Sequence, residues 1–141
     1  MVLVPPRFDD IELLSRAKEL LAPAGFGHFS VTTAERHDKS IAFSSQLAHV
    51  VSNAYIKSPT ALDQKGFSAG SYRDMTRVAW LNPAMWTELF LDNIDALIHQ
   101  MDLFSAEFGR LRWMLASRDV EGMKDMMRKS TARRIALDQG K

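Results

Sequence analysis

The sequence has 141 residues, no cysteine, 46% hydrophobic residues and a formal net charge of +1. This composition is typical of one globular domain and excludes disulfides, cysteine-ligated zinc sites and thiol chemistry. The longest uncharged stretch, residues 40–56, holds too many polar side chains for a membrane span, and the N-terminus lacks the pattern of a secretory signal. We therefore expect a cytoplasmic protein with no membrane contact.

The first thirty-three residues predict a β-α-β fragment. Residues 2–4 form a short apolar β-type run that two prolines end. Asp9 and Asp10 stand where a helix begins, and apolar residues then recur at helical spacing until a Pro-Ala-Gly break at 23–25. Residues 26–33 predict the second strand. Two short strands do not form a stable sheet alone, so we expect further structure in front of this piece.

The rest of the chain predicts a helical bundle. The predicted helices span residues 35–57, 71–80, 83–116 and 119–137, with loops at Ser58-Pro59 and around Gly66 and Gly70. The third carries a heptad-like apolar seam at Phe90, Ile94, Leu97, Met101, Phe104, Phe108, Leu111 and Leu115. Further apolar residues widen this face, so we expect the helix to pack against several partners, including a second copy of the chain. The fold class is mainly α, after a short β-α-β start.

The two parts of the chain differ in charge. Residues 1–104 hold 9 basic and 12 acidic residues, whereas residues 105–141 hold 9 basic and 5 acidic residues. The basic residues near the C-terminus are Arg128, Lys129, Arg133 and Arg134. Because no aromatic residues alternate with them, the pattern favours a solvated helical face, and we expect no nucleic-acid partner.

The first long helix carries a polar strip where a core face is expected. Ser45, His49 and Asn53 are spaced one turn apart, and Gln46 and Ser52 lie three positions either side of His49. Buried polar groups need partners, which means either an internal hydrogen-bond network or a ligand. Spacing alone favours the network.

Two arginines mark the next helix. Arg73 and Arg77 are one turn apart behind the glycine-containing segment at 66–70, so they share a face. Guanidinium groups held in this way bind carboxylates or phosphates bidentately. Alternatively, Asp74 and neighbouring acids pair with them at the surface, and the residues leave both interpretations open.

An acidic stripe follows on the third helix, at Glu88, Asp92, Asp95, His99 and Asp102. Di-metal bundle sites use a repeated Glu-x-x-His pair, which is absent here, so we expect no metal. A stripe that faces solvent, or that pairs with the basic last helix, explains the pattern better. The sequence also lacks a Gly-x-Gly-x-x-Gly loop, a P-loop and a serine nucleophile elbow, so we expect no cofactor site in this chain.

Three motifs occur in a fixed order: Ser45-Gln46-Leu47-Ala48-His49, Gly70-Ser71-Tyr72-Arg73-Asp74-Met75-Thr76-Arg77-Val78-Ala79, and Asn82-Pro83-Ala84-Met85-Trp86. With them, the chain resembles the C-terminal part of prephenate and arogenate dehydrogenases over essentially its whole length. His37-Asp38 matches the start of that family's first long dimerisation helix. The resemblance implies that residues 1–33 are the end of a nucleotide-binding Rossmann domain and that residues 34–141 form the helical dimerisation and substrate-binding domain.

The family oxidatively decarboxylates prephenate to 4-hydroxyphenylpyruvate in tyrosine biosynthesis, with NAD or NADP held by the Rossmann domain, and its helical domains form an intertwined homodimer. The resemblance implies that Arg77 binds a carboxylate of this small dicarboxylate substrate. It further implies substrate-binding positions at Ser45, His49, Gly70, Arg73 and Trp86, with Gly70 near the partner subunit's pocket. For the polar strip, it favours ligand contact over an internal network.

Several features depart from the family pattern. The common Ser-His-Leu-Pro-His motif has Gln46 and Ala48 here, and the usual glycine triplet is Ala69-Gly70-Ser71, so prephenate and arogenate both stay open as substrates. The family's cofactor loop and the histidine that assists hydride removal belong to the part that this sequence lacks, so we expect this chain alone to be inactive and to hold no catalytic residue. The alternatives are a chorismate-mutase-like helical isomerase and a non-catalytic helical interaction module.

Overall fold

The computed structural model describes residues 1–64, 66–67 and 69–139. It divides into two compact units, Met1–Gln100 and Met101–Lys141. Helices dominate both units, which confirms the predicted mainly α class. Within the described ranges, no helix is long and apolar enough to cross a bilayer.

The N-terminal β-α-β prediction is confirmed. Strand β1 (Val2–Leu3), helix α1 (Ile11–Leu21) and strand β2 (Ser30–Val31) follow one another, and the strands pair in parallel. Asp10 caps α1, since its carboxylate accepts a hydrogen bond from the Leu13 amide at 2.9 Å. The helix leads into a 3-10 turn over Ala22–Ala24. Each strand is shorter than predicted because the ladder pairs only two residues per strand.

The remaining helices are α2 (Ala34–Ile41), α3 (Leu47–Ile56), α4 (Thr60–Asp63), α5 (Gly70–Thr76), α6 (Pro83–Asp92), α7 (Ile94–Ser117) and α8 (Val120–Gln139). A π-helical segment, Ala42–Gln46, joins α2 to α3, so the predicted first long helix exists but contains a local widening. It begins at a Thr33 cap, whose hydroxyl accepts from the Arg36 amide at 3.1 Å. The short helix α4 was not predicted.

The prediction of one helix over residues 83–116 is wrong. The chain leaves helical geometry at Asn93, with φ −126° and ψ 35°, so α6 and α7 are separate helices. The Asn93 side chain donates hydrogen bonds to the Asp38 carbonyl at 2.9 Å and to Gln46 Oε1 at 2.8 Å. These tertiary bonds hold the residue in a non-helical conformation, and they place Phe90 on a different helix from the rest of the apolar seam.

Few side chains of the first unit are fully buried. The buried apolar residues are Ala42, Leu47 and Leu97, and the buried polar residues are Gln46 and Ser52. All of them belong to the first unit, where α3 also packs against α5. The core therefore lies around the π-helical segment and α3, which are the elements that carry the predicted polar strip.

The second unit pairs the C-terminal part of α7 with α8. At the turn between them, the Asp119 amide donates to the Met114 carbonyl at 2.9 Å and the Arg118 amide donates to the Leu115 carbonyl at 3.2 Å. This is the Schellman pattern, in which the residue after the helix adopts the left-handed conformation. Arg118 takes that position with φ 56°, where glycine is usual.

The helices of the second unit expose many large apolar side chains. These include Phe104, Phe108, Trp113, Leu115, Ile135 and Leu137. Phe108, Trp113 and Leu137 each leave more than 60% of their surface in solvent. Large apolar side chains exposed together on two helices of one unit are typical of an interaction face.

Candidate functional site

His49 of α3 is held by a backbone carbonyl from another part of the chain. Its Nδ1 lies 2.9 Å from the carbonyl oxygen of Val78, and the ring is half-buried. A carbonyl oxygen only accepts, so Nδ1 must carry the hydrogen of this bond. The tautomer is therefore fixed, and Nε2 is the ring atom available to a ligand. When the ring is neutral, Nε2 accepts a hydrogen bond, and when it is protonated, Nε2 donates one.

Trp86 of α6 lies against the His49 ring. The two ring centroids are 3.9 Å apart with an interplanar angle of 46°. Phe90 follows Trp86 by four residues, and the centroids of these two rings are 5.4 Å apart. Phe90 also lines a pocket of about 350 Å³ together with Asn53, so the polar strip reaches a cavity. An indole ring beside an imidazole provides a flat apolar wall for a planar ligand.

The Asn82-Pro83 motif explains why Trp86 stands where it does. Asn82 caps α6, because its side-chain oxygen accepts from the Met85 amide at 3.1 Å. Pro83 occupies the first turn, where its missing N–H costs nothing. Together these residues begin the helix three positions before Trp86, whose amide donates to the Asn82 carbonyl at 3.0 Å.

Arg77 lies at the C-terminal cap of α5, directly before the residue that binds His49. Its amide donates to the Arg73 carbonyl at 2.9 Å, and both arginines are exposed. Because consecutive Cα atoms are about 3.8 Å apart, the His49–Val78 hydrogen bond brings the backbone of Arg77 close to the imidazole. Across the described part of the chain, neither guanidinium has an ion-pair partner, so surface pairing with Asp74 is not formed.

The other predicted positions are less tightly connected. Ser45 lies half-buried in the π-helical segment, and Gly70 is the exposed first residue of α5. A Cβ at Gly70 would meet none of the described atoms within 4 Å, so the described part of the chain does not by itself require glycine there. Among the described contacts, no side-chain hydrogen bond, ion pair or ring contact joins Ser45, Gly70 or Arg73 to the His49–Trp86 pair.

The polar strip contains one buried side chain with hydrogen-bond partners and one without a described partner. Gln46 is 5% exposed and is fully engaged, since its Nε2 donates to the Leu89 carbonyl at 2.8 Å and its Oε1 accepts from Asn93 at 2.8 Å. The Ser52 hydroxyl, by contrast, is buried without a partner among the described residues. Sequence reasoning missed Asn93, although an asparagine inside a helical pattern is a common interruption.

The acidic stripe does not come together as a metal centre. The break at Asn93 puts Glu88 and Asp92 on α6, whereas Asp95, His99 and Asp102 lie on α7. In the part of the chain that the structure describes, no three histidine or carboxylate side chains converge on one point. Asp92, Asp95 and His99 instead line an open groove of about 400 Å³.

Comparison with known proteins identifies a family. Residues 33–129 match the model of the prephenate dehydrogenase dimerization domain. The chain is 34% identical over 117 residues to cyclohexadienyl dehydrogenase of Zymomonas mobilis, covering 79% of this chain and 40% of that protein. It is 28% identical over 127 residues to prephenate dehydrogenase of Bacillus subtilis, covering 86% of this chain and 34% of that protein.

Solved structures show the same fold. Arogenate dehydrogenase of Synechocystis superposes with a TM-score of 0.76 at 24% identity, over 94% of this chain and 50% of that one. Prephenate dehydrogenase of A. aeolicus, solved with hydroxyphenyl propionate and NAD+, gives a TM-score of 0.79 at 22% identity, over 96% of this chain and 49% of that one. The chain spans less than half the length of the curated relatives it matches. Because the family model covers more than half of its residues, the chain belongs to the prephenate dehydrogenase dimerization-domain family.

Proposed function

We propose that this chain is the dimerisation and substrate-binding part of a prephenate or arogenate dehydrogenase. The observation that carries the proposal is the hydrogen bond from His49 to Val78, because it joins α3 to the segment that follows α5. Through it, the imidazole of α3 lies beside the end of α5 that bears Arg77, and the same imidazole contacts Trp86 of α6. The family membership and the relatives' printed activities support the same function.

The three side chains suit a cyclic dicarboxylate. The guanidinium of Arg77 offers two parallel N–H donors, which fit one carboxylate of the substrate. Trp86 provides an apolar face for the ring, and Nε2 of His49 provides one polar contact whose direction depends on protonation. These residues bind and orient the substrate, and they leave hydride acceptance to NAD or NADP, which supplies that chemistry when bound.

The residues of this chain do not fit the nicotinamide cofactor. The turn from β1 into α1 contains Pro5 and Pro6 and no glycine. A dinucleotide pyrophosphate needs close approach to backbone amides at a glycine-rich turn before a helix, and proline lacks that amide. We therefore assign residues 1–33 to the end of a nucleotide-binding domain and residues 34–141 to the helical domain.

We propose that the chain acts as a homodimer through its long helices. The exposed apolar side chains of α7 and α8 support this, because their burial would remove a large hydrophobic surface from water. A groove of about 630 Å³ between the two helices is lined by Phe104, Phe108 and Leu111 on one side and by Met126 and Leu137 on the other. A second copy of the chain is the occupant that a dimerization domain implies.

Isothermal titration with 4-hydroxyphenylpyruvate, the product of prephenate oxidation, tests the site. We expect binding by the unmodified chain and a loss of affinity of about tenfold or more in Arg77→Ala, since hydrogen bonds to charged groups contribute about 1.5–3 kcal/mol. Arg16→Ala, which removes an exposed arginine of α1, is the matched control and should bind as the unmodified chain does. Equal affinity in Arg77→Ala, or no binding by the unmodified chain, would overturn the site.

A turnover assay tests whether this chain alone catalyses the reaction. We expect the purified, mass-verified chain to show no prephenate-dependent reduction of NAD or NADP, because the turn from β1 into α1 does not suit a dinucleotide pyrophosphate. Measurable reduction would contradict this expectation. Chorismate isomerisation in the same sample would favour the chorismate-mutase-like alternative, which leaves the β-α-β start unexplained.

A further inference from the structure

Two hydrogen-bonded amides, the buried Gln46 and the half-buried Asn93, lie beside the candidate site, and we call them the amide clasp. Gln46 ends the π-helical segment and is 5% exposed. Its Nε2 donates to the carbonyl of Leu89 at 2.8 Å, in the last turn of α6. Carbonyls in a last helical turn lack intrahelical partners, so the glutamine satisfies a group that would otherwise need water.

Asn93 completes the clasp from the joint between α6 and α7. Its Nδ2 donates one hydrogen to Gln46 Oε1 at 2.8 Å and the other to the Asp38 carbonyl at 2.9 Å. Both hydrogens of this amide nitrogen are thus used. The clasp fixes the end of α6 against both α2 and the π-helical segment by directional bonds.

The clasp lies one helical turn from the His49–Trp86 contact on both helices. Gln46 precedes His49 by three residues, and Leu89 follows Trp86 by three residues. Three residues correspond to a rise of about 4.5 Å along a helix axis. The Gln46 amide therefore contacts α6 at Leu89, and one turn away the ring of His49 contacts α6 at Trp86. The amide contact constrains the ring contact.

We propose that Gln46 is a positioning residue that sets the spacing of α3 and α6 and thereby holds Trp86 against His49. Its amide suits this task because it donates and accepts at once. A glutamate in its place offers no hydrogen to the Leu89 carbonyl, and an aspartate in place of Asn93 removes both donated bonds. The consequence for substrate binding rests on the function proposed above, whereas the ring contact itself does not.

Tryptophan fluorescence measures the ring contact without any ligand. Trp80 and Trp113 are 94% and 63% exposed, so a Trp80→Phe, Trp113→Phe background leaves Trp86 as the only reporter at little cost to packing. The imidazole of His49 lies against the indole, so it limits the access of a small solute such as acrylamide to Trp86. We expect weak quenching of Trp86 emission by acrylamide in this background, and we expect His49→Ala to increase the quenching constant.

The clasp variants then decide the proposal. In the same background, Gln46→Glu and Asn93→Asp should each raise the acrylamide quenching constant by at least half of the increase seen in His49→Ala, while circular dichroism retains the helical signal. Gln100→Glu changes a half-buried glutamine of α7 with no described hydrogen bond, so it is the matched control and should keep the weak quenching.

Two results would overturn the positioning role. Unchanged, weak acrylamide quenching in folded clasp variants would show that the rings hold their contact alone. Loss of the helical signal in both variants, with a folded Gln100→Glu, would show that the amides only maintain the fold. If the unmodified chain binds no 4-hydroxyphenylpyruvate but its quenching depends on the clasp, the proposed function fails and the positioning role stands.

Discussion

Removal of the cap of α6 tests whether the Asn82-Pro83 motif sets the position of Trp86. In Asn82→Ala, the Met85 amide loses the side-chain oxygen that lies 3.1 Å away. Asn82 is exposed, so water replaces part of that bond. Loss of such a cap costs about 1 kcal/mol, within a range of about 0.5–2 kcal/mol. Asn82→Asp keeps the accepting oxygen and adds a negative charge at a helix N-terminus, which is favourable.

The expected change is large enough to measure by thermal denaturation. With an unfolding entropy of about 2.1 cal/mol/K per residue, a chain of this length loses about 3 °C of melting temperature for each 1 kcal/mol. We expect Asn82→Ala to melt about 3 °C lower, as followed by circular dichroism at fixed protein concentration, and Asn82→Asp to melt close to the unmodified chain.

The same variants connect the cap to the site. Fraying of the first turn of α6 would loosen Trp86 against His49, so Asn82→Ala should also bind 4-hydroxyphenylpyruvate more weakly than Asn82→Asp. The reasoning is refuted if both variants have the melting temperature of the unmodified chain, because the cap would then contribute nothing to stability. It is equally refuted if Asn82→Asp loses as much stability as Asn82→Ala.

Three further changes have expected outcomes. Ser52→Ala should raise the free energy of unfolding by about 1 kcal/mol in urea denaturation, since it removes a buried hydroxyl that has no described partner; a loss of stability would reveal a partner. Arg118→Gly should stabilise the chain by about 0.5–1 kcal/mol and Arg118→Val should destabilise it, because φ is 56° there; the reverse order in urea midpoints would contradict a left-handed cap. The hydrogen bond from Lys39 lowers the pKa of Glu35, so Lys39→Met should raise that pKa in an NMR titration, and an unchanged value would refute the pairing. Because a lowered carboxyl pKa stabilises the fold above the unfolded-state pKa, this pair's contribution is lost as the pH falls through the folded-state pKa.

The helices that were predicted well are those with local signals at their ends. Asp10 caps α1, and the Asn82-Pro83 pair begins α6 at the expected residue. The first long helix begins one residue earlier than predicted because Thr33 supplies the cap. The break at Asn93 was missed because the apolar spacing runs through it without interruption, while the cause of the break lies in hydrogen bonds to residues far away in the sequence.

The candidate site shows the same limit. Spacing placed His49 on a polar strip, and it placed Arg73 and Arg77 together on one face. It could not show that the partner of the imidazole is the backbone of Val78, 29 residues along the chain. That bond distinguishes the two arginines, because only Arg77 is adjacent to the bound carbonyl.

The interactions that set the geometry of the site differ from those that can contribute most to the stability of the chain. Among the described residues of the first unit, three apolar side chains are buried, so directional bonds such as His49–Val78 and Gln46–Leu89 fix the site. A hydrogen bond contributes only about 1 kcal/mol net, since each also exists with water in the unfolded chain, whereas apolar burial contributes about 25 cal/mol per Å². Burial of the exposed apolar faces of α7 and α8 would therefore add more stability than these hydrogen bonds do, and a second copy of the chain would bury them. If the chain self-associates through these faces, as proposed above, the association would stabilise it and leave the amides of Gln46 and Asn93 and the imidazole of His49 to set the geometry of the proposed site.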